Sequence, residues 1–234
     1  VDIESRRSLP TIIYDVNGQV LTRLMVENRA WVSLQDVPSN LINAVVAVED
    51  HTFYDHHGIS LRRIAGALWH DLKHMSPDQG GSTITAQLAK NVFLSQEKTI
   101  DRKIWEALYA FQLERRYTKD EILEYYLNWI YLGHGVYGIE AASQLYFGKH
   151  VNQLSMGECA LLAGLAKSGE LYSPYKNMEA SLKRRRIVLK RMVDVGYISA
   201  EEADKAAEEE VRLAGLKESG SAVGKYVRYM VRDY

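Results

Sequence analysis

The chain has 234 residues, 47% of them apolar and 25% charged, with 29 Lys and Arg against 30 Asp and Glu. That composition excludes global disorder and the basic footprint of a bulk nucleic-acid binder, and the length allows a sizeable core. A single cysteine, Cys159, excludes a disulfide framework and a cysteine-based zinc cluster; the longest apolar run, Cys159 to Ala166, is far short of the ~18 residues that a spanning helix needs.

The first forty residues read differently from the rest. Thr11-Ile12-Ile13-Tyr14 and Val20-Leu21-Thr22 are β-prone runs around Asn17-Gly18, a pair that predicts a hairpin. Ala30 to Leu34 is a candidate third strand, and Pro38 closes this N-terminal segment of 1–40. From Leu41 the apolar spacing is helical, with helices expected near 41–49, 60–74, 83–93, 99–116, 119–130, 137–146, 156–166, 179–195 and 200–212. Thr118/Glu121, Ser155/Glu158 and Ser199/Glu202 are capping boxes, in which a hydroxyl takes an orphan amide and the Glu reaches back to the cap. The helical unit spans 41–213, and 214–234 reads as a linker. The fold class is mainly α with a small β appendage.

Four stretches carry chemistry. Glu49 and Asp50 end an apolar helix and lead into a turn with His51, His56, His57 and Gly58. Partial desolvation there would suit Glu49 to acid–base work, although a capped helix end with surface histidines fits the same letters. Gly80-Gly81-Ser82-Thr83 opens the next helix and offers amides and hydroxyls to an anion, with Lys90 two turns along; an ordinary N-cap is the alternative. Lys98, Arg102 and Glu106 share one helix face, suited to a phosphate or to a solvated ion-pair ladder. The opposite face, Ile100, Ile104, Leu108 and Phe111, is expected in the core. Finally, aromatic residues from Tyr125 to Tyr137 are interleaved with Asn128, Gly133, Gly135 and Gly138, which suits a sugar groove or a packed helix pair with a sharp turn. Between the first two stretches, Leu61, Ile64, Ala65, Leu68, Leu72 and Met75 make an apolar face with Trp69 and cations beside it, fit for a membrane interface or for the protein core.

Five ordered blocks resemble the peptidoglycan glycosyltransferase domain of class A penicillin-binding proteins. They are Glu49-Asp50 with Phe53, His57 and Gly58; Gly80 to Thr85; Arg102-Lys103 with Glu106; Glu124 with Tyr126-Leu127-Asn128 through Tyr131-Leu132-Gly133; and Ala160 to Gly164 with Lys167-Ser168. The resemblance implies a lysozyme-like helical head and a smaller membrane-facing jaw near 59–80, on the outer face of the bacterial cytoplasmic membrane. It implies lipid II and the growing glycan chain as substrates and inverting transfer that releases undecaprenyl pyrophosphate. Carried over residue by residue, Glu49 is the general base and Glu106 the second essential carboxylate. Lys90, Lys98, Arg102 and Lys103 meet the pyrophosphate, with Ser82 and Thr83 as donors and Gln87, Asn128 and Tyr131 as further substrate contacts. Leu61, Ile64, Leu68, Trp69 and Leu72 become the membrane contact. No cofactor is required with certainty, and Glu106 would either orient the cations or hold a divalent Mg or Mn ion.

The chain departs from the family at Ala86, where Gln is common, at Trp105, a Lys in some members, and at 165–170, where prolines are missing. Tyr226 to Arg232 resembles the entry to a transpeptidase half, so the native chain is expected to continue there and to carry an N-terminal membrane anchor. A glycan-cleaving enzyme of lytic transglycosylase or lysozyme type, and a non-catalytic lipid II-binding domain, are the alternatives. The first has no use for a cation-lined pyrophosphate pocket.

Overall fold

A computed structural model describes residues 2–3, 11–14, 20–24, 28–58, 82–94 and 100–216. Strands β1 (Thr11–Tyr14) and β2 (Val20–Leu24) pair antiparallel, Thr11 opposite Leu24, as the hairpin signal predicts; the Asn17-Gly18 turn lies outside the described residues. A short β3 (Asn28–Arg29) follows, then helices α1 (Ser39–Glu49), α2 (Ile84–Phe93), α3 (Ile100–Arg116) and α4 (Lys119–Trp129). After β4 (Val136–Tyr137) come α5 (Ile139–Phe147), α6 (Met156–Leu165), α7 (Met178–Asp194) and α8 (Ala200–Glu208). The architecture is mainly helical, and all three predicted capping boxes are formed at the starts of α4, α6 and α8. The expected helix at 60–74, the jaw at 59–80, and residues 217–234 of the linker lie outside the described residues.

The core is organised around α6. Apart from Glu158, which closes the cap and pairs with Lys149, this helix is apolar and buried from Gly157 to Leu165, as a helix apolar on all sides is when it forms a core. Helices α1, α5, α7 and α8 pack against it, and α2 packs on α3 and α4 beside them. Buried Arg185 on α7 donates to the carbonyls of Ala207 and Glu209, at 2.6 and 2.9 Å. Those bonds take carbonyls at the helix end, so α8 stops at Glu208 rather than running to 212.

Other expectations change. The third strand is Asn28–Arg29, parallel to β4, and not 30–34. The backbone of 31–34 is claimed by α4 side chains instead: Asn128 bridges both N and O of Val32, and Glu124 accepts from Leu34 N. The segment before residue 41 is therefore bound into the helical body. Helix α5 begins at Ile139 because Gly138, at φ +82°, is its N-cap and Val136–Tyr137 pair with β3.

The largest correction concerns α3. Ile104, Leu108 and Phe111, expected in the core, are 56, 47 and 52% exposed, while Glu106, Ala110 and Leu113 are buried. The side chain of Ile100 lies outside the description. The periodicity groups the residues correctly, but the inward face is the one carrying the carboxylate. Its charge is met by cations, which allows that face to be buried.

Candidate active site

Helix α1 delivers Glu49 at its last turn, and the residue after it fixes the chain's direction. Asp50 is fully buried; its Oδ2 accepts from Ile84 N at 3.0 Å, in the first turn of α2, and lies 2.8 Å from His56 Nε2. Thr83 caps the same helix. Its hydroxyl donates to Gly58 O at 2.6 Å and accepts from Ala86 N at 3.1 Å. Gly58 has φ +88°, and a Cβ there would stand 3.1 Å from Ala110 O of α3, so glycine is needed both for the turn and for the helix crossing. These contacts hold the end of α1 against the start of α2. One turn into α2, Gln87 Nε2 donates to Glu49 Oε2 at 2.9 Å, and Tyr126 of α4 donates to Gln87 Oε1 at 3.3 Å.

The packing of α2 on α3 gathers the charges. Lys103 Nζ donates to Glu106 Oε1 at 2.8 Å and to Ser82 Oγ at 3.2 Å, and Arg102 Nη1 lies 3.9 Å from Glu106 Oε2. Lys90 completes the group. Burial pulls its ammonium below the usual lysine range, opposed by Glu106 and Glu49 and reinforced by Lys103 and Arg102. Lys103 and Arg102 thus flank one buried carboxylate, Glu106, and the charge of Lys90 interacts with it and with a second carboxylate, Glu49. Such a group can stabilise a strongly anionic leaving group while Glu49 accepts a proton.

The profile of the transglycosylase family matches residues 17–193. This chain belongs to the transglycosylase family. The chain is 45% identical over 222 residues to penicillin-binding protein 1A of Aquifex aeolicus (strain VF5), covering 95% of this chain and 30% of that protein. It is 46% identical over 212 residues to penicillin-binding protein 2D of Bacillus subtilis (strain 168), covering 90% and 31%. The crystal structure of penicillin-binding protein 1A from Haemophilus influenzae superposes with a TM-score of 0.53 at 29% identity, over 96% of this chain and 23% of that one. The chain therefore spans about a third or less of the length of these relatives. The resemblance read from the five blocks is borne out at the level of the family.

Within this transglycosylase chain, Glu49, Ser82, Gln87, Lys90, Arg102, Lys103 and Glu106 come together as the motifs predict. Lys98, Gly80 and Gly81 lie outside the described residues, as do Leu61, Ile64, Leu68, Trp69 and Leu72. Two candidates have other duties. Thr83 is buried and its hydroxyl is committed to Gly58 and Ala86, so it is a helix cap and not an anion donor. Asn128 is fully buried and its amide holds Val32 and Glu124, which removes it from any sugar groove. Tyr131 donates to Glu170 at 2.6 Å, in a polar group with Lys176, His134 and Ser173.

Of the family departures, Trp105 is half exposed, with its ring tilted against Tyr109 at 6.0 Å between centroids, and Lys103 is left to meet Glu106. In the 165–170 loop, Gly169 packs so closely on Leu132 and Gly133 that a Cβ would come within 2.3 Å of backbone. Three residues gain roles that the sequence reading did not assign: Asp50, His56 and Tyr126. The imidazole bonded to Asp50 is His56, while His57 is exposed. The signal was the three-residue spacing Asp50, Phe53, His56, which puts all three on the inner side of the turn.

Proposed function

We propose that this domain polymerises lipid II into β-1,4-linked glycan strands. The acceptor's GlcNAc 4-hydroxyl attacks C1 of the donor's MurNAc with inversion. Its proton passes to Glu49, the C1–O bond to undecaprenyl pyrophosphate breaks, and the electron pair leaves with the pyrophosphate. The observation that carries this reading is the Lys90, Arg102 and Lys103 cluster around buried Glu106, next to Glu49 on its Gln87 hydrogen bond. Preset cations at a developing anion lower the barrier without reorganising during the reaction. A glycan-cleaving enzyme would leave that cluster unused.

Glu106 is engaged by Lys103 and Arg102, and the described residues hold no group of three His, Cys, Asp or Glu side chains arranged for a metal. One carboxylate among cations is a poor donor set for Mg or Mn, so the reading gives Glu106 the task of ordering the cations. Lipid II and the growing chain, the outer face of the bacterial cytoplasmic membrane, and a C-terminal transpeptidase domain in the native chain are the partners proposed with this activity. The greater length of the penicillin-binding relatives supports the last of these. Among the described residues no helix is long and apolar enough to cross a membrane.

The test is direct. Purified domain is incubated with lipid II and products are resolved on a gel, with moenomycin as inhibitor. Glu49→Gln should abolish glycan chains at unchanged melting temperature. Polymerisation by that variant at the parent rate would remove Glu49 as the base.

A further inference from the structure

The hydrogen bonds behind Glu49 run in one direction. An ionised carboxylate only accepts, so Gln87 must present its Nε2–H to Glu49 Oε2, 2.9 Å away. The amide oxygen is thereby turned toward α4, where Tyr126 Oη lies 3.3 Å from it and must donate. Tyr126 is fully buried, and burial, with the nearby charges of Glu49 and Asp50, holds its phenol far above the usual tyrosine range. It is therefore a neutral phenol, able to donate at every working pH. Three elements contribute one group each: α1 the carboxylate, α2 the amide and α4 the phenol.

We propose that Tyr126 is a positioning residue for the general base, acting through Gln87 on Glu49. It locks the Gln87 amide in the orientation that donates to the carboxylate, and so fixes the plane of Glu49. Without the phenol, Gln87 can rotate, and a rotated amide turns its oxygen toward the carboxylate. The inference rests on Glu49 being the base. It adds that the base's orientation is set from α4, a helix with no other side chain in the cluster described above.

The experiment compares parent, Tyr126→Phe, Gln87→Met, the double variant and Glu49→Gln, each in the same chain, with lipid II as substrate. Tyr126→Phe removes one oxygen and keeps the ring. It should lower kcat roughly tenfold with KM nearly unchanged, because a mispositioned base costs rate and not binding. The double variant should be no slower than Gln87→Met alone, because both changes break one chain. That coupling is read against the single variants, so it holds even if Tyr126→Phe lowers the melting temperature. Additive losses in the double variant, or a parental kcat in Tyr126→Phe, with Glu49→Gln inactive, would overturn the inference alone. An active Glu49→Gln would overturn the base assignment and this inference with it.

Discussion

Lys103 Nζ lies 2.8 Å from Glu106 Oε1, one turn away on the same helix, yet the lysine side chain is 57% exposed and the carboxylate 4%. The pair is therefore asymmetric. Glu106→Gln should cost about 1–3 kcal/mol, since it buries an amide among cations that have lost their counter-charge. Lys103→Ala should cost less than about 1 kcal/mol, because its charge is screened by solvent and Arg102 still faces Glu106. Urea unfolding of the two variants checks the order; equal losses would contradict it.

Lys90 gives a pH prediction. Burial lowers the pH at which its ammonium gives up the proton, so its charge is lost on the alkaline side earlier than for an ordinary lysine. Glycan synthesis should accordingly fail below the usual lysine range as pH rises. Lys90→Arg carries a guanidinium that does not titrate there, so its residual activity should persist to higher pH. An alkaline limb identical in the two proteins would separate Lys90 from the reaction.

The inward face of α3 can be tested by stability alone. Leu108→Ser and Phe111→Ser should each change the unfolding free energy by no more than about 0.5 kcal/mol, as exposed positions do. Leu113→Ala, fully buried, should cost about 2–5 kcal/mol. The opposite ranking would restore the apolar face to the core.

Gly169→Ala places a methyl group 2.3 Å from both Gly133 N and Leu132 C, all of it rigid backbone. The two loops must part. A loss of about 1–3 kcal/mol is expected, with a matching fall in melting temperature, and an unchanged melting temperature would show that the loops yield freely.

Glu170 links stability to acid. Hydrogen bonds from Lys176 and then Tyr131 hold its carboxyl down at about 2. An unfolded Glu titrates near ~4.3, so this contribution is complete above that pH and disappears as pH falls toward the folded value. Glu170→Gln should flatten the melting temperature between those limits while changing little at neutral pH beyond a constant offset.

The three capping boxes, the hairpin strands and the apolar body of α6 are legible because each signal is local: a hydroxyl three residues before a Glu, a pair of β-prone runs, an unbroken apolar stretch from Cys159. The α3 face was misread for a physical reason. Rules of apolar burial rank Ile104, Leu108 and Phe111 above Glu106, and the packing of α3 against α2, which no local pattern reveals, makes the charged face the buried one. Thr83 and Asn128 were chosen for their hydrogen-bonding groups, and those groups are spent on the protein's own backbone. Sequence does not reveal whether a polar side chain serves a ligand or a neighbouring loop. Tyr126 shows the converse, a residue read as part of an aromatic stripe whose hydroxyl meets Gln87 across two helices.

The bonds from Thr83 to Gly58 O and from Ile84 N to Asp50 clamp the chain before residue 59 against the chain after residue 81. Glu49 directly precedes Asp50, and Gln87 lies one turn beyond Thr83, so the clamp also sets the register between the carboxylate and the amide. Loosening either bond would therefore be felt first as a change in the Glu49–Gln87 separation.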